Sequence, residues 1–147
     1  MKRDHPTLHV LLVEDSPGDV RLTLETFREE DSSIHIDVAA DGVEAMAFLN
    51  REKGYEQASR PDLILLDLNL PRMDGKEVLA RIKSDEELRT IPTVILTTSA
   101  ADADVMTSYQ LQANSFLSKP VRLDDFESLV KSINEFWLVK TKLPRPS

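Results

Sequence analysis

The stretch Leu63-Ile64-Leu65-Leu66-Asp67-Leu68-Asn69-Leu70-Pro71 constrains this chain more than any other. It is a short apolar run opened by Pro61 and Asp62 and closed by Pro71, which leaves no room for a core helix. A run of that length suits a strand buried on both faces, as in a parallel sheet covered by helices on either side. Parallel strands need crossover connections, so the rest of the chain must supply helices between further strands. Asp67 falls at the carboxyl end of this strand, where the loops of an open α/β sheet form a binding crevice. A carboxylate set among leucines is costly unless it is paired, so partners for Asp67 are expected.

The remaining segments fit that frame. Leu8–Val13 is a β-rich run ending on Glu14-Asp15. Ser16 is a good N-cap and Pro17 a good first helical residue, and Val20, Leu24 and Phe27 then mark the apolar stripe of a helix reaching about Glu30. Ile34–Val38 alternates with period two and reads as a half-buried strand nearer the sheet edge. Asp41-Gly42 starts a second helix carrying Met46 and Leu49, and residues 51–60 form a polar surface connection. Asp74 followed by Glu77 resembles a capping box opening a third helix with Val78 and Ile82. Ile91–Thr97 is another buried strand, ending in the hydroxyls of Thr97, Thr98 and Ser99. Ala101–Gln112 reads as a fourth helix, with Val105, Met106 and Tyr109 as its apolar residues. Ser115–Ser118 is a fifth, short strand ending at Lys119-Pro120. A last helix places Leu123, Phe126, Leu129, Val130, Ile133, Phe136 and Trp137 on one face, with Leu138 and Val139 left over. The tail from Lys142 to Ser147 carries two prolines and is expected to be extended or mobile. Five strands alternating with five helices predict a flavodoxin-like doubly wound (βα)5 fold, with a five-stranded parallel sheet in the order 2-1-3-4-5.

Composition limits the functional classes. With 147 residues the chain is expected to be one domain, with a core over about 7–139 and no output domain. The absence of cysteine excludes thiol chemistry and thiolate metal sites. A formal net charge of -8 argues against nucleic-acid binding by long-range attraction. No run approaches the ~20 apolar residues of a membrane span, and Glu14-Asp15 interrupts the first hydrophobic run before it resembles a signal segment, so a cytoplasmic protein is expected.

Reactive groups stand at the strand ends that flank the switch point: Glu14 and Asp15 after the first strand, Asp67 at the third, Thr97 at the fourth and Lys119 at the fifth. Converging carboxylates repel one another and call for a positive group, either Lys119 or a bound cation. An all-oxygen donor set without His or Cys suits Mg²⁺, which binds readily beside phosphate. Asp67 is then a candidate nucleophile for an aspartyl phosphate, with the cation, Lys119 and the Thr97 hydroxyl holding the phosphoryl oxygens. Taken singly, each group has a plainer reading: Glu14-Asp15 as a helix-start charge pair, Thr97 as a strand-end hydroxyl, Lys119 as a solvated charge and Phe116 as core. The conjunction at four strand ends carries the argument.

These residues resemble the receiver domains of two-component response regulators. The matching positions are Glu14-Asp15, Leu65 to Pro71 with Met73-Asp74-Gly75, Thr97 and Lys119-Pro120, and they span nearly the whole chain. The resemblance implies that Asp67 is the phosphoacceptor, served by a histidine kinase, and that Mg²⁺ is ligated by Asp15, Asp67 and the backbone carbonyl of Asn69, with Glu14 assisting. It implies further that Thr97 and Lys119 contact the phosphoryl group, that Thr97 and Phe116 switch together, and that the Lys119-Pro120 peptide bond is cis. The protein is then a signalling switch that catalyses only its own phosphorylation and dephosphorylation. A narrower resemblance, in Asn134 to Leu138 with Leu143-Pro144 and in Leu68 to Pro71, is to the single-domain regulators that partner bacterial and cyanobacterial phytochromes. Two positions depart from the family pattern: Gln112-Ala113-Asn114 stands where many receivers place glycine, and Thr98 where a smaller residue is common.

Leu138 and Val139 extend the apolar surface of the last helix, which predicts a homodimer through the helix 4/strand 5/helix 5 face. Three other functions fit these residues less well. A flavin carrier of the same fold would not place Glu14-Asp15 against a phosphate. A phosphatase acting on external substrates lacks an evident substrate domain. A receiver-like binding module acting without phosphorylation would have no need to retain all five site residues.

Overall fold

The computed structural model describes residues 7–31, 33–99 and 101–144. Among them the chain runs β1 (His9–Val13), α1 (Pro17–Glu30), β2 (His35–Ala39), α2 (Gly42–Leu49), β3 (Leu63–Leu66), α3 (Gly75–Ser84), β4 (Thr93–Thr97), α4 (Asp102–Gln110), β5 (Ser115–Ser118) and α5 (Leu123–Ile133). A π-helical segment, Asn134–Lys140, ends it. The strands form one sheet in the order β2-β1-β3-β4-β5, and every pairing is parallel. This is the expected doubly wound topology, with β3 at the centre and β2 at an edge. Residues 142–144 carry no regular secondary structure, and residues 145–147, the rest of the expected tail, lie outside the described residues.

Two-sided burial accounts for the apolar runs. All four residues of β3 are wholly buried, but they serve opposite faces. Ile64 and Leu66 join Leu11, Val13 and Ile95 against α2 and α3, whereas Leu63 and Leu65 join Val10, Leu12, Val94 and Leu96 against α1 and α5. β2 is paired on one side only and keeps two exposed positions, His35 and Val38, one on each face of the sheet, as an edge strand can. At the opposite edge the side chain of Tyr109 on α4 covers β5, its hydroxyl accepting from the Phe116 N–H at 3.2 Å.

The helix starts largely follow the capping residues. Ser16 accepts from the Asp19 N–H, Asp41 from Glu44 and Asp74 from Lys76. The reciprocal half of the capping box at α3 does not form, because Glu77 pairs with Arg81 one turn further on, at 2.7 Å.

The end of the chain corrects the expected stripe. Leu123 is 65% and Phe136 56% exposed, whereas Leu138, expected to lie outside the stripe, is buried in the α1/α5 core. Leu123 is the first residue of α5; for Phe136 and Leu138 the cause is the π-helical segment, whose i→i+5 pattern inserts an extra residue per turn and rotates the residues within and beyond it. Leu138, five positions after Ile133, takes the inward place. On α4 the expected apolar residues Met106 and Tyr109 are largely exposed, and the wholly buried position is Ser108.

Gln112 ends α4 in the left-handed region, with φ 76. Its N–H donates to the Tyr109 carbonyl and the Ala113 N–H to that of Ser108, the paired bonds of a Schellman motif in which glycine is favoured. Gln112→Gly is therefore expected to stabilise the protein by about 0.5–1 kcal/mol, the left-handed strain relieved outweighing the added freedom of the unfolded chain. Chemical denaturation measures this, and an unchanged or lowered midpoint would count against it.

Candidate functional site

The carboxyl ends of β1, β3, β4 and β5 lie side by side, and the groups they carry meet. Asp67, the residue after β3, is almost fully buried. Its Oδ1 accepts from the Thr97 hydroxyl at 2.7 Å and from the Asn69 N–H at 3.0 Å, and its Oδ2 accepts from the Lys119 ammonium at 2.9 Å. Lys119 also donates to Glu14, and to Asp19 at 2.9 Å. Glu14 accepts in addition from the Ser16 N–H at 3.1 Å. Thr97 is wholly buried, Glu14 and Lys119 nearly so, while Asp15 and Asn69 face solvent.

Backbone geometry sets Asp67 in place. Its N–H donates to the Val13 carbonyl of β1, and the Gly75 N–H donates to the Leu68 carbonyl. A Cβ on Gly75 would come within 2.3 Å of the Asp67 carbonyl oxygen, so only glycine lets α3 begin this close to the site.

Charge is crowded here. Burial, with the neighbouring charge of Asp67, raises the Glu14 carboxyl to about 7, the bonds from Lys119 and Ser16 offsetting only part of that. Burial acts on Asp67 in the same direction, but its bonds from Lys119, Asn69 and Thr97 outweigh it and hold the carboxyl below the usual range. For Lys119, burial favours the neutral amine, yet bonds to Glu14, Asp67 and Asp19 prevail and keep it protonated. One ammonium thus serves three carboxylates.

Glu14, Asp15 and Asp67 each offer an oxygen, and these atoms lie within 4.8 Å of one another. The donors are all hard oxygens and one of them is solvent-facing, which fits a hard divalent cation that keeps part of its water shell.

All the strand-end residues singled out from the sequence are therefore brought together, and Phe116 stands apart. It is half-buried against the α2/α3 side of the core. The expected cis bond is corrected: no peptide bond among the described residues is cis, and Lys119-Pro120 is trans. Trans is the lower-energy form by about 0.5–1 kcal/mol before proline, and from it Lys119 reaches all three carboxylates. Sequence reasoning missed Asp19, whose only signal was a carboxylate in the first turn of the helix after Glu14-Asp15. It also missed the Asn69 side chain, whose amide donates to Thr97 Oγ1 at 3.4 Å.

Comparison with known proteins agrees with this arrangement. Residues 10–131 match the model of the response regulator receiver domain. The chain is 46% identical over 140 residues to response regulator Rcp1 of Synechocystis sp., covering 95% of each. The crystal structure of the Mn(2+)-bound form of Rcp1 superposes with a TM-score of 0.91 over 94% of this chain and 99% of that one. That of the phosphorylated cyanobacterial phytochrome response regulator RcpA gives 0.92, at 46% identity and the same coverage. Among the described residues no helix is long and apolar enough to cross a membrane. The chain belongs to the response regulator receiver domain family.

Proposed function

We propose that Asp67 accepts a phosphoryl group in the cytoplasm from a histidine kinase of the phytochrome type, and that the protein signals through the change in its surface that follows. The observation that carries this is Asp67 itself, a buried carboxylate kept ionised by Lys119, Asn69 and Thr97 at the mouth of the strand-end crevice. One of its oxygens attacks phosphorus in line, the P–N bond to the kinase imidazole breaks, and that nitrogen keeps the bonding pair. Lys119 and the Thr97 hydroxyl then donate to the phosphoryl oxygens, supplying fixed charge and dipole where negative charge is spread in the transition state. Asp15, Asp67 and the Asn69 carbonyl, with Glu14 assisting, would hold Mg²⁺, which neutralises phosphoryl charge when bound. Support for the metal comes from the acidic cluster and from the Mn(2+)-bound form of Rcp1. The phytochrome assignment is supported by the likeness to RcpA. Thr97 and Phe116 are proposed to shift together once Asp67 is loaded.

Transfer from a panel of purified histidine kinases tests the proposal. The highest initial rate is expected from a phytochrome, with loss of transfer on chelation of Mg²⁺. Equal slow transfer from every kinase would remove the phytochrome assignment, and transfer indifferent to the chelator would remove the metal.

We propose in addition that two copies associate through the α4/β5/α5 face. Met106 and Tyr109 on α4 and Phe136 and Val139 after α5 are exposed, at 60, 47, 56 and 68%, and Phe136 lines a cavity of about 480 Å³ together with Leu117, Leu129, Ile133 and Trp137. An exposed apolar surface of this kind favours a partner, and a two-fold pair is the simplest closed arrangement. Sedimentation over a wide concentration range is expected to show a dimer that Phe136→Glu disperses. A monomer at all concentrations would sink the dimer.

A further inference from the structure

A second polar network lies beside the site, outside the acidic cluster. Lys76, the second residue of α3, pairs with one carboxylate oxygen of Asp104 on α4, and the Ser99 hydroxyl donates to the other. Each end of this network is tied to the reacting groups. Lys76 follows Gly75, whose N–H donates to Leu68 at 3.0 Å and whose close approach to the Asp67 backbone admits no side chain. Ser99 lies two residues beyond Thr97, and its N–H approaches Thr97 Oγ1 at 3.5 Å. Thr97 in turn donates to Asp67. The contacts therefore close a ring: Asp67, the start of α3, Lys76, Asp104, Ser99, Thr97 and Asp67 again.

We infer that Asp104, with Lys76 as its counter-charge, is a positioning residue for phosphoryl transfer, holding Ser99 and through it the Thr97 hydroxyl at Asp67. The inference rests on Asp67 being the phosphoacceptor. An ion pair with both side chains partly exposed, 34 and 25%, adds little to stability. Its effect lies in geometry, because small displacements of groups that meet the reacting atoms slow transfer far more than they destabilise the fold. Neither residue touches Glu14 or Asp15, so metal binding is left alone.

The test is the rate of loading by acetyl phosphate with Mg²⁺, followed by intact mass. Asp104→Ala is expected to load about ten-fold more slowly, with Asp104→Asn intermediate because it still offers Ser99 an acceptor. Mg²⁺ affinity by calorimetry should match the wild type. In a Thr97→Ala background, Asp104→Ala should add less than about two-fold, since the group it positions is gone. Equal slowing in both backgrounds, or none beside wild-type Thr97, overturns the inference while leaving Asp67 as the acceptor. A wild-type protein that takes no phosphoryl group overturns both. Melting of each variant identifies any that fails to fold, and Asp104→Asn, which preserves shape, then carries the comparison with the same two outcomes.

Discussion

Asp67→Asn is expected to take up no phosphoryl group from either a kinase or a small phosphodonor, while remaining folded. The amide has nearly the shape of the carboxylate, and its oxygen can still accept from Thr97 and Asn69, so the β3 end keeps two of its three bonds. It has no anionic oxygen to attack phosphorus, and its NH₂ group would face the Lys119 ammonium that now donates to Oδ2 at 2.9 Å. Loss of the nucleophile removes the reaction outright, where loss of a neighbouring donor only slows it by about 10²–10³-fold. The neighbouring carboxylates make the experiment informative, because Glu14 and Asp15 place oxygens within 4.8 Å of Asp67 and are the obvious substitutes. Intact mass with peptide mapping separates the cases. Equal labelling of the Asn variant, or label on Asp15 in the wild type, would sink the assignment of Asp67.

Lys119→Met should have the largest effect on stability. The ammonium is almost fully buried and bonds to Glu14, Asp19 and Asp67, so its removal leaves two buried carboxylates without a counter-charge. Breaking a buried ion pair in this way costs about 3–5 kcal/mol. Glu14 can relieve part of that by holding a proton, as its carboxyl already lies at about 7, so a loss near the lower figure, about 3 kcal/mol, is expected at neutral pH in chelator. Mg²⁺ should recover more stability in the variant than in the wild type, since a cation among the carboxylates replaces the missing charge. Urea denaturation with and without the metal is the measurement. Unchanged midpoints in chelator would show that Lys119 does not hold the cluster together.

Much of the fold was legible because one physical demand, burial on both faces, leaves an unmistakable run in β3 and in β1 and β4. Ser16, Asp41 and Asp74 marked helix starts because their side chains satisfy amide groups close by in sequence. The convergence of Glu14, Asp15, Asp67, Thr97 and Lys119 followed from topology, since parallel strands with right-handed crossovers bring their carboxyl ends to one edge. Other features had no local signature. Leu138 turned inward and Phe136 outward because a π-helical segment broke the 3.6-residue period on which any reading of a helical stripe depends. Asp19 reached Lys119, 100 residues away, and Lys76 reached Asp104 across 28, only because the packed sheet and helices set those side chains next to one another. Local rules named the elements and the strand-end groups. Which charges share a proton, a lysine or a hydroxyl is decided by distances of about 3 Å that only the assembled tertiary structure creates.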